Sequence, residues 1–189
     1  MKFRSLYDLY IRELQDLHSA ESLNRTALPE MIECACSPDL KMALRNHLEE
    51  TRDHIDRLNR ILRKHGERRE VDRCRAMEGV LTACERMIDR EADGIIYDLG
   101  IISACQRVEH YEIAGYGTAR AYAESLGEEE DAALLAETLE EESSANDELT
   151  GIATMLQSQC KRNNGESGDE ESLRPRFLRT DVLEATGAR

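Results

Sequence analysis

The chain has 189 residues and a formal net charge of −14, which suits one domain with a substantial core and disfavours binding to nucleic acid phosphates or anionic lipid. The N-terminal MKFRSLYDLYIREL is amphipathic and lacks the apolar stretch of a signal peptide, and no run of about 18 apolar residues occurs. We therefore predict a cytoplasmic protein with no nucleic acid and no membrane among its partners.

The composition favours helices along the whole chain. Only three prolines interrupt it, aromatic residues make up 4%, and no alternation of β-branched residues occurs, so an all-α fold is predicted. The six cysteines lack paired CxxC spacing and are predicted to be reduced. Cys34 and Cys36 fall at a predicted turn, which leaves a redox role open for exposed thiols.

The first half of the chain predicts two antiparallel helices, over about residues 4–35 and 39–64. Ser37 is the expected N-cap of the second helix, Pro38 its first residue, and Gly66 ends it. Buried positions recur at spacings of four and three, which keeps one row of side chains, here called a seam, facing a neighbouring helix. The first seam is Phe3, Tyr7, Tyr10, Leu14, Leu17, Glu21, Asn24, Leu28 and Met31; the second is Leu40, Leu44, His47, Thr51, His54, Leu58 and Ile61.

Residues 65–95 predict a long crossover between the two halves. The segment HGERREVDRCR is charged and typical of a loop. A short amphipathic stretch with Met77, Leu81 and Cys84 follows it, so the crossover should contain one short helix.

The second half predicts two further long helices separated by Gly127. The fourth helix opens with EEEDAALL, and its acidic first turn suits the helix dipole; the run Glu128 to Asp131 is interpreted as a helix start and nothing more. Residues 161–189 are polar and are predicted to form a mobile tail, which leaves residues 1–160 as the bundle domain. The seam of the third helix is Ile102, Cys105, Glu109, Glu112, Tyr116, Ala119, Ala123 and Leu126. The seam of the fourth helix is Leu135, Leu139, Glu142, Asn146, Leu149, Ala153 and Leu156.

Two hairpins joined by a long crossover are the plan of a ferritin-like four-helix bundle. Each long helix has charged residues near its middle, on the seam or at its edge. Burying a carboxylate costs several kcal/mol unless it is paired or binds a cation. We therefore predict a metal site with the candidate ligands Glu21, Glu50, His54, Glu109, Glu112 and Glu142.

The hairpin geometry brings these groups to one level. Residues equally distant from a turn lie at the same height, and each residue of offset changes the height by about 1.5 Å. Glu21 then lies midway between Glu50 and His54, and Glu112 lies opposite Glu142.

The two halves also resemble each other at an offset of 91 residues. LHSAESL lies over VEHYEIA, and HLEE lies over TLEE, which predicts a pseudo-twofold axis through a site for two cations. The offset pairs Glu50 with Glu141, whereas the seam selects Glu142. We favour Glu142 as the ligand, because apolar residues on both sides define its direction.

Carboxylates and imidazole together suit Fe(II), Fe(III) and Mn(II). In bundles of this kind two helices each contribute a Glu, and the other two each contribute a Glu-x-x-His pair. Here Glu50 and His54 are four residues apart, and Asn146, not a histidine, stands four residues after Glu142. We predict two metal ions, iron first and manganese second, and the missing histidine could leave the second position weak, empty or occupied by a different ion.

Several of these residues have simpler interpretations. Glu109 and Glu112 could pair with arginines, and Glu50 with His54 could be an ordinary surface pair. Tyr116, one turn from Glu112, could be a redox neighbour of a metal, but we favour the interpretation as a core tyrosine. The histidines interpreted as solvated or hydrogen-bonded outside the site are His47 and His110, and the glutamates expected to face water are Glu49, Glu140 and Glu141.

The sequence resembles the YciF-type ferritin-like stress proteins of bacteria. The resemblance covers about residues 5–156, through ELQDLHSAE, LPEM, HLEETRDHIDRL, CRAMEGV and above all CQRVEHYEIAGYG. It implies a ferritin-like bundle, a dimer, a rubrerythrin-like carboxylate site and an association with stress responses. Glu109 and Glu112 are similar to the paired glutamates on the third helix of rubrerythrins, and the family usually has an aspartate in place of Asn146.

Three functions remain open. The first is a di-metal oxidoreductase that reduces peroxide or O2, the second is a metal-buffering stress protein without turnover, and the third is a metal-free dimeric scaffold. The chain has no rubredoxin-like CxxC pairs, so an enzyme would need an external, unknown electron donor. Whether the protein is an enzyme stays open, and a homodimer is the expected assembly.

Overall fold

The computed structural model describes residues 3–67, 73–88 and 94–166. These residues form five helices and no strand, which confirms the all-α prediction. None of the described helices has an apolar stretch long enough to cross a lipid bilayer. The helices are α1 (Leu6–Cys34), α2 (Pro38–Lys64), α3 (Arg75–Ile88), α4 (Gly94–Leu126) and α5 (Glu129–Glu166).

Helices α1 and α2 form the predicted hairpin. Ser37 caps α2 by accepting a hydrogen bond from the Leu40 backbone N–H, and Pro38 is the first helical residue. The buried carboxylate of Asp98 on α4 accepts hydrogen bonds of 2.7 Å from the backbone N–H groups of Cys36 and Ser37. Asp98 therefore holds the turn between α1 and α2 against α4, a role that the sequence analysis did not predict.

All six cysteines are free, as predicted. Cys36 is exposed and Cys34 is half-buried at the turn between α1 and α2, whereas Cys74, Cys84 and Cys105 are buried. The redox role of the two turn cysteines stays a prediction.

The short helix α3 lies in the crossover between α2 and α4, as predicted, and packs against α1 and α4. Met77 and Cys84 turn inward and are buried in this contact. Residues 68–72 and 89–93 of the predicted crossover lie outside the described residues.

Helices α4 and α5 form the second predicted hairpin and pack along their length. Gly127 ends α4 with a φ of 75°, in the left-handed region that glycine adopts without strain. Helix α5 continues to Glu166, so residues 161–166 of the predicted tail are helical. Residues 167–189, for which a mobile tail was predicted, lie outside the described residues.

The apolar core has two parts, one toward each end of the bundle. One contains Tyr10, Leu14, Leu58 and Tyr116, and the other contains the buried apolar residues toward the α1–α2 turn and α3. The charged seam positions lie between these two parts. The site is thus enclosed by apolar side chains along the bundle axis.

Two glycines give a matched test of this backbone. An added methyl group would meet no atom within 4 Å at either Gly151, in the middle of α5, or Gly127. Gly151→Ala should raise the free energy of unfolding by about 1 kcal/mol because alanine favours the helix. Gly127→Ala should lower it by about 1 kcal/mol because its φ is positive. Urea unfolding measures both, and two changes of the same sign would contradict the assigned helix end.

Candidate metal centre

A layer of buried polar side chains crosses the bundle, with contributions from all four long helices. Their exposed fractions lie between 0% and 5%, as low as those of the surrounding apolar residues. The layer consists of Glu21 on α1, His47 and His54 on α2, Glu109 and Glu112 on α4, and Glu142 on α5.

One group within the layer contains Glu21, His54 and Glu142. The Nδ1 atom of His54 lies 3.2 Å from Oε1 of Glu21 and 3.0 Å from Oε1 of Glu142. All three side chains are fully buried. Three helices therefore deliver one nitrogen and two carboxylates to one point.

The second group contains His47, Glu109, Glu112 and again Glu142. Nε2 of His47 lies 3.4 Å from Oε1 of Glu109. The Asn24 amide donates a hydrogen bond of 3.3 Å to Oε2 of Glu112, and its nitrogen lies 3.5 Å from Nε2 of His47. Glu142 belongs to both groups and is the residue that they share.

The atoms of this layer converge without forming hydrogen bonds to one another. Among the described residues, seven of its oxygen and nitrogen atoms are buried and have no hydrogen-bond partner, although His54 and the carboxylates lie within 3.0–3.2 Å. Buried polar atoms normally have such partners. The oxygen and imidazole donors suit iron, manganese or zinc, so the residues present fit a metal centre.

The carboxyl groups of the layer differ in their pKa values. Burial raises the pKa of Glu109 and Glu112 well above the usual value, and it also raises the pKa of Glu21. For Glu142 burial acts in the same direction, but the adjacent His54 outweighs it and the pKa is lowered. Glu142 is thus the carboxylate most readily ionised in the metal-free layer.

The two histidines of the layer hold their protons strongly. Burial alone would lower their pKa values, but the carboxylates of Glu109 and Glu50 raise the pKa of His47 to about 10. Glu142 and Glu21 likewise outweigh burial and raise the pKa of His54 to about 11. In the described part of the chain, the ion pairs of Glu21, Glu109 and Glu142 go to these histidines, and none of the four buried glutamates pairs with lysine or arginine.

Tyr116 borders the layer on its apolar side. Its hydroxyl donates a hydrogen bond of 2.5 Å to Oε1 of Glu21, and its ring packs edge-on against His54. Burial raises the pKa of Tyr116 well above the usual value, so the phenol stays protonated and holds Glu21 in place. The tyrosine is buried in the core, as predicted, and also contacts the site.

The structure departs from the predicted ligand set at two positions on α2. The side chain of Glu50 is 43% exposed and lies outside both groups, with its Oε2 atom 3.7 Å from Nδ1 of His47. His47, expected to lie outside the site, is 5% exposed and belongs to the second group. Position 47 is on the predicted α2 seam and position 50 is not, so the periodicity contained the signal.

Two neighbouring glutamates on α5, Glu141 and Glu142, also lie in different surroundings. Glu142 faces the layer, as favoured, whereas Glu141 was expected to face water and instead contacts His54 and Arg57 with its side chain 30% exposed. The side-chain oxygen of Asn146 accepts a hydrogen bond from Gln106 at the edge of the bundle.

A third group of possible ligands, His65, Glu128 and Asp131, lies at the end of the bundle. The ammonium group of Lys64 lies 2.8 Å from both Glu128 and Asp131 and already supplies a cation there. We therefore interpret this group as a structural ion-pair cluster. The acidic run does start α5, as predicted, but Asp131 is 1% exposed and joins this cluster, so the prediction that the run does nothing more was wrong.

Together these features define a class of protein, a helical bundle with a buried carboxylate–histidine layer. The chain belongs to the family described as Domain of unknown function (DUF892), whose model matches residues 5–161. It is 36% identical to Protein YciF of Escherichia coli strain K12 over 154 residues, which cover 81% of this chain and 93% of that protein. The YciF-type resemblance is thereby confirmed.

Solved structures agree with this assignment. The crystal structure of the Escherichia coli stress protein YciF matches with a TM-score of 0.80 and 34% identity, covering 82% of this chain and 99% of that chain. YcfI from Rhodopseudomonas palustris matches with a TM-score of 0.75 and 38% identity over 78% and 94% of the two chains. A protein from Xanthomonas campestris, at 20% identity and a TM-score of 0.66 over 85% and 99%, supports the fold alone.

Proposed function

We propose that this protein is a ferritin-like di-metal carboxylate protein that binds two metal ions, iron first and manganese as the alternative. The observation that supports the proposal is the convergence of four buried glutamates and two histidines, with seven atoms lacking hydrogen bonds among the described residues. Two imidazoles cannot balance four ionised carboxylates, and the raised pKa values of Glu21, Glu109 and Glu112 reflect the cost of ionising them in the metal-free layer, a charge that bound cations would complete.

Each side chain has a distinct role in this proposal. Glu21 and His54 would hold one ion, His47, Glu109 and Glu112 the other, and Glu142 both. Such a pair of ions, when bound, supplies redox chemistry toward peroxide or O2. The apolar core on both sides excludes water, and Asn24 and Tyr116 orient the carboxylates of Glu112 and Glu21.

We further propose a role in a stress response, in which the centre reduces peroxide or O2. The support is the similarity to a protein described as a stress protein in Escherichia coli. Electrons would come from an external donor, because the chain contains no CxxC pair. The same similarity underlies the proposal of a homodimer, which light scattering on the purified chain would test.

A metal-free scaffold is the second candidate function. It is favoured by the short contacts of His54 to Glu21 and Glu142, which could hold α1, α2 and α5 together without a cation.

Elemental analysis of protein purified without chelators distinguishes the metal-binding function from the metal-free scaffold. About two Fe or Mn ions per chain support the first, and protein that stays metal-free after Fe(II) or Mn(II) addition supports the second. Peroxide consumption by the loaded protein then distinguishes turnover from metal buffering.

Glu112→Gln tests the second metal position. Glu112 belongs to only one group, so we expect metal binding to fall from about two ions per chain to about one. The variant should fold, because burial already favours the neutral form of this carboxyl group in the metal-free protein. Elemental analysis after dialysis measures the ratio, and circular dichroism provides the folding control. An unchanged ratio would remove Glu112 from the ligand set.

A further inference from the structure

Glu141 lies behind His54, on the side of the ring that faces away from the polar layer. Its Oε2 atom lies 2.9 Å from Nε2 of His54. The Nδ1 atom of the same ring faces Glu21 and Glu142 at 3.2 and 3.0 Å. The imidazole therefore spans from the half-buried carboxylate of Glu141 to the fully buried ones.

Arg57 holds Glu141 in this position. The two terminal nitrogens of its guanidinium group donate to the two carboxylate oxygens of Glu141, a forked contact that restricts the carboxylate's rotation. The same guanidinium group donates hydrogen bonds of 3.1 Å to Thr138 and 2.8 Å to Glu137. A chain of contacts thus runs from the surface of α5 through Arg57 and Glu141 to His54.

We propose that Glu141 is a positioning residue that makes Nδ1 of His54 the ligand atom for the cation held by Glu21 and Glu142. This inference rests on the proposed metal centre. In the neutral ring, the only form that can bind a cation, donation of the Nε2–H to a carboxylate leaves Nδ1 as the nitrogen with a lone pair to give, and the carboxylate increases its basicity.

The corresponding contact at the other histidine is weaker. Glu50 occupies the position of Glu141 in the 91-residue repeat, but its Oε2 atom lies 3.7 Å from Nδ1 of His47, beyond hydrogen-bond distance. His47 thus faces the layer with Nε2, whereas His54 does so with Nδ1. The two cation positions are therefore unequal, and we expect Zn(II) to bind first at the one served by His54.

Zn(II) is a suitable probe, because it accepts the same donors and is diamagnetic. In protein with 15N-labelled histidine, we expect Zn(II) to shift the Nδ1 resonance of His54 while Nε2 stays protonated.

By titration calorimetry, Glu141→Ala should weaken the tighter Zn(II) binding step about 10- to 100-fold. Glu141→Gln, whose side-chain oxygen can still accept the Nε2–H bond, should restore part of the loss. Glu140→Ala, at an exposed position of the same helix, should change nothing.

The possible failures are distinguishable. Glu141→Ala binding Zn(II) as tightly as the wild type, or Zn(II) bound to Nε2 of His54, would overturn the positioning role and leave the metal centre intact. Equal losses in Glu141→Ala and Glu140→Ala would overturn it too, since a general charge effect would then suffice. A wild-type chain that binds neither Zn(II), Mn(II) nor Fe(II) would overturn the metal centre itself and this inference with it.

Discussion

Glu142→Gln is expected to remove both metal ions from the protein. Glu142 is the residue common to the two ligand groups, and it is fully buried between His54 and the carboxylates of α4. Glutamine keeps the shape but loses the charge and leaves one oxygen, so it cannot serve two cations. Even supporting residues outside the ligand set change metal affinity by about 10- to 100-fold, and the loss of a shared ligand should exceed about 100-fold.

Metal content and stability should change together in this experiment. A ligand at 100 times its dissociation constant stabilises the native state by about 2.7 kcal/mol, so Mn(II) should raise the unfolding temperature of the wild type and not that of Glu142→Gln. Glu140→Gln is the matched control, an exposed glutamate two positions away on α5. If Glu142→Gln retains two ions per chain, the shared-ligand assignment is wrong.

The sequence predicted the helical framework well, because the interior rows of the long helices follow a regular spacing. The α1 seam is buried from Tyr10 through Met31, and every α2 seam position from Leu40 to Ile61 is buried. Phe3, at the start of the first seam, is 46% exposed, and Leu139, Asn146 and Ala153 of the α5 seam are only partly buried. Periodicity reports which face of a helix is covered, and that property needs no knowledge of partners.

The site could be predicted in part. Glu21, Glu109, Glu112 and Glu142 stand on seams, and the structure brings all four together in one layer. Glu50 was predicted to be a ligand because it lies four residues before His54, but a side chain four residues from a buried one can still point outward. The choice between neighbouring α5 glutamates needed tertiary contacts, since Arg57 on another helix holds Glu141.

Buried aspartates near helix ends could not be predicted. Asp98 binds a turn 61–62 residues away in sequence, and Asp131 accepts a hydrogen bond from Tyr10, 121 residues away. The helix dipole alone is normally enough to explain an acidic residue in the first turn of a helix. Only the packing of α1 and α2 against α5 reveals that Asp131 also joins three helices.

Asp131→Ala is expected to lower the free energy of unfolding by about 3 kcal/mol at neutral pH, because one partner of a buried charged network is removed. The carboxylate of Asp131 accepts hydrogen bonds from Tyr10 at 3.0 Å, Lys64 at 2.8 Å and His65 at 2.7 Å. In a chain of this size the loss corresponds to a decrease of roughly 6–12 °C in unfolding temperature. Glu130→Gln breaks only the exposed contact to Arg60 and should cost less than about 1 kcal/mol.

The effect of Asp131 should also depend on pH. Burial alone would raise its pKa, but Lys64, His65 and Tyr10 outweigh burial and lower the pKa below the unfolded value of 3.8. A carboxyl group with a lowered pKa in the folded state stabilises the protein above its unfolded pKa, and the contribution is lost as the pH falls through the folded pKa. Urea unfolding should therefore show the full difference between wild type and Asp131→Ala from pH 5 to 7 and a smaller one below about pH 4. A difference that stayed constant down to the acid transition would mean that packing, and not the charge of Asp131, holds this end of the bundle together.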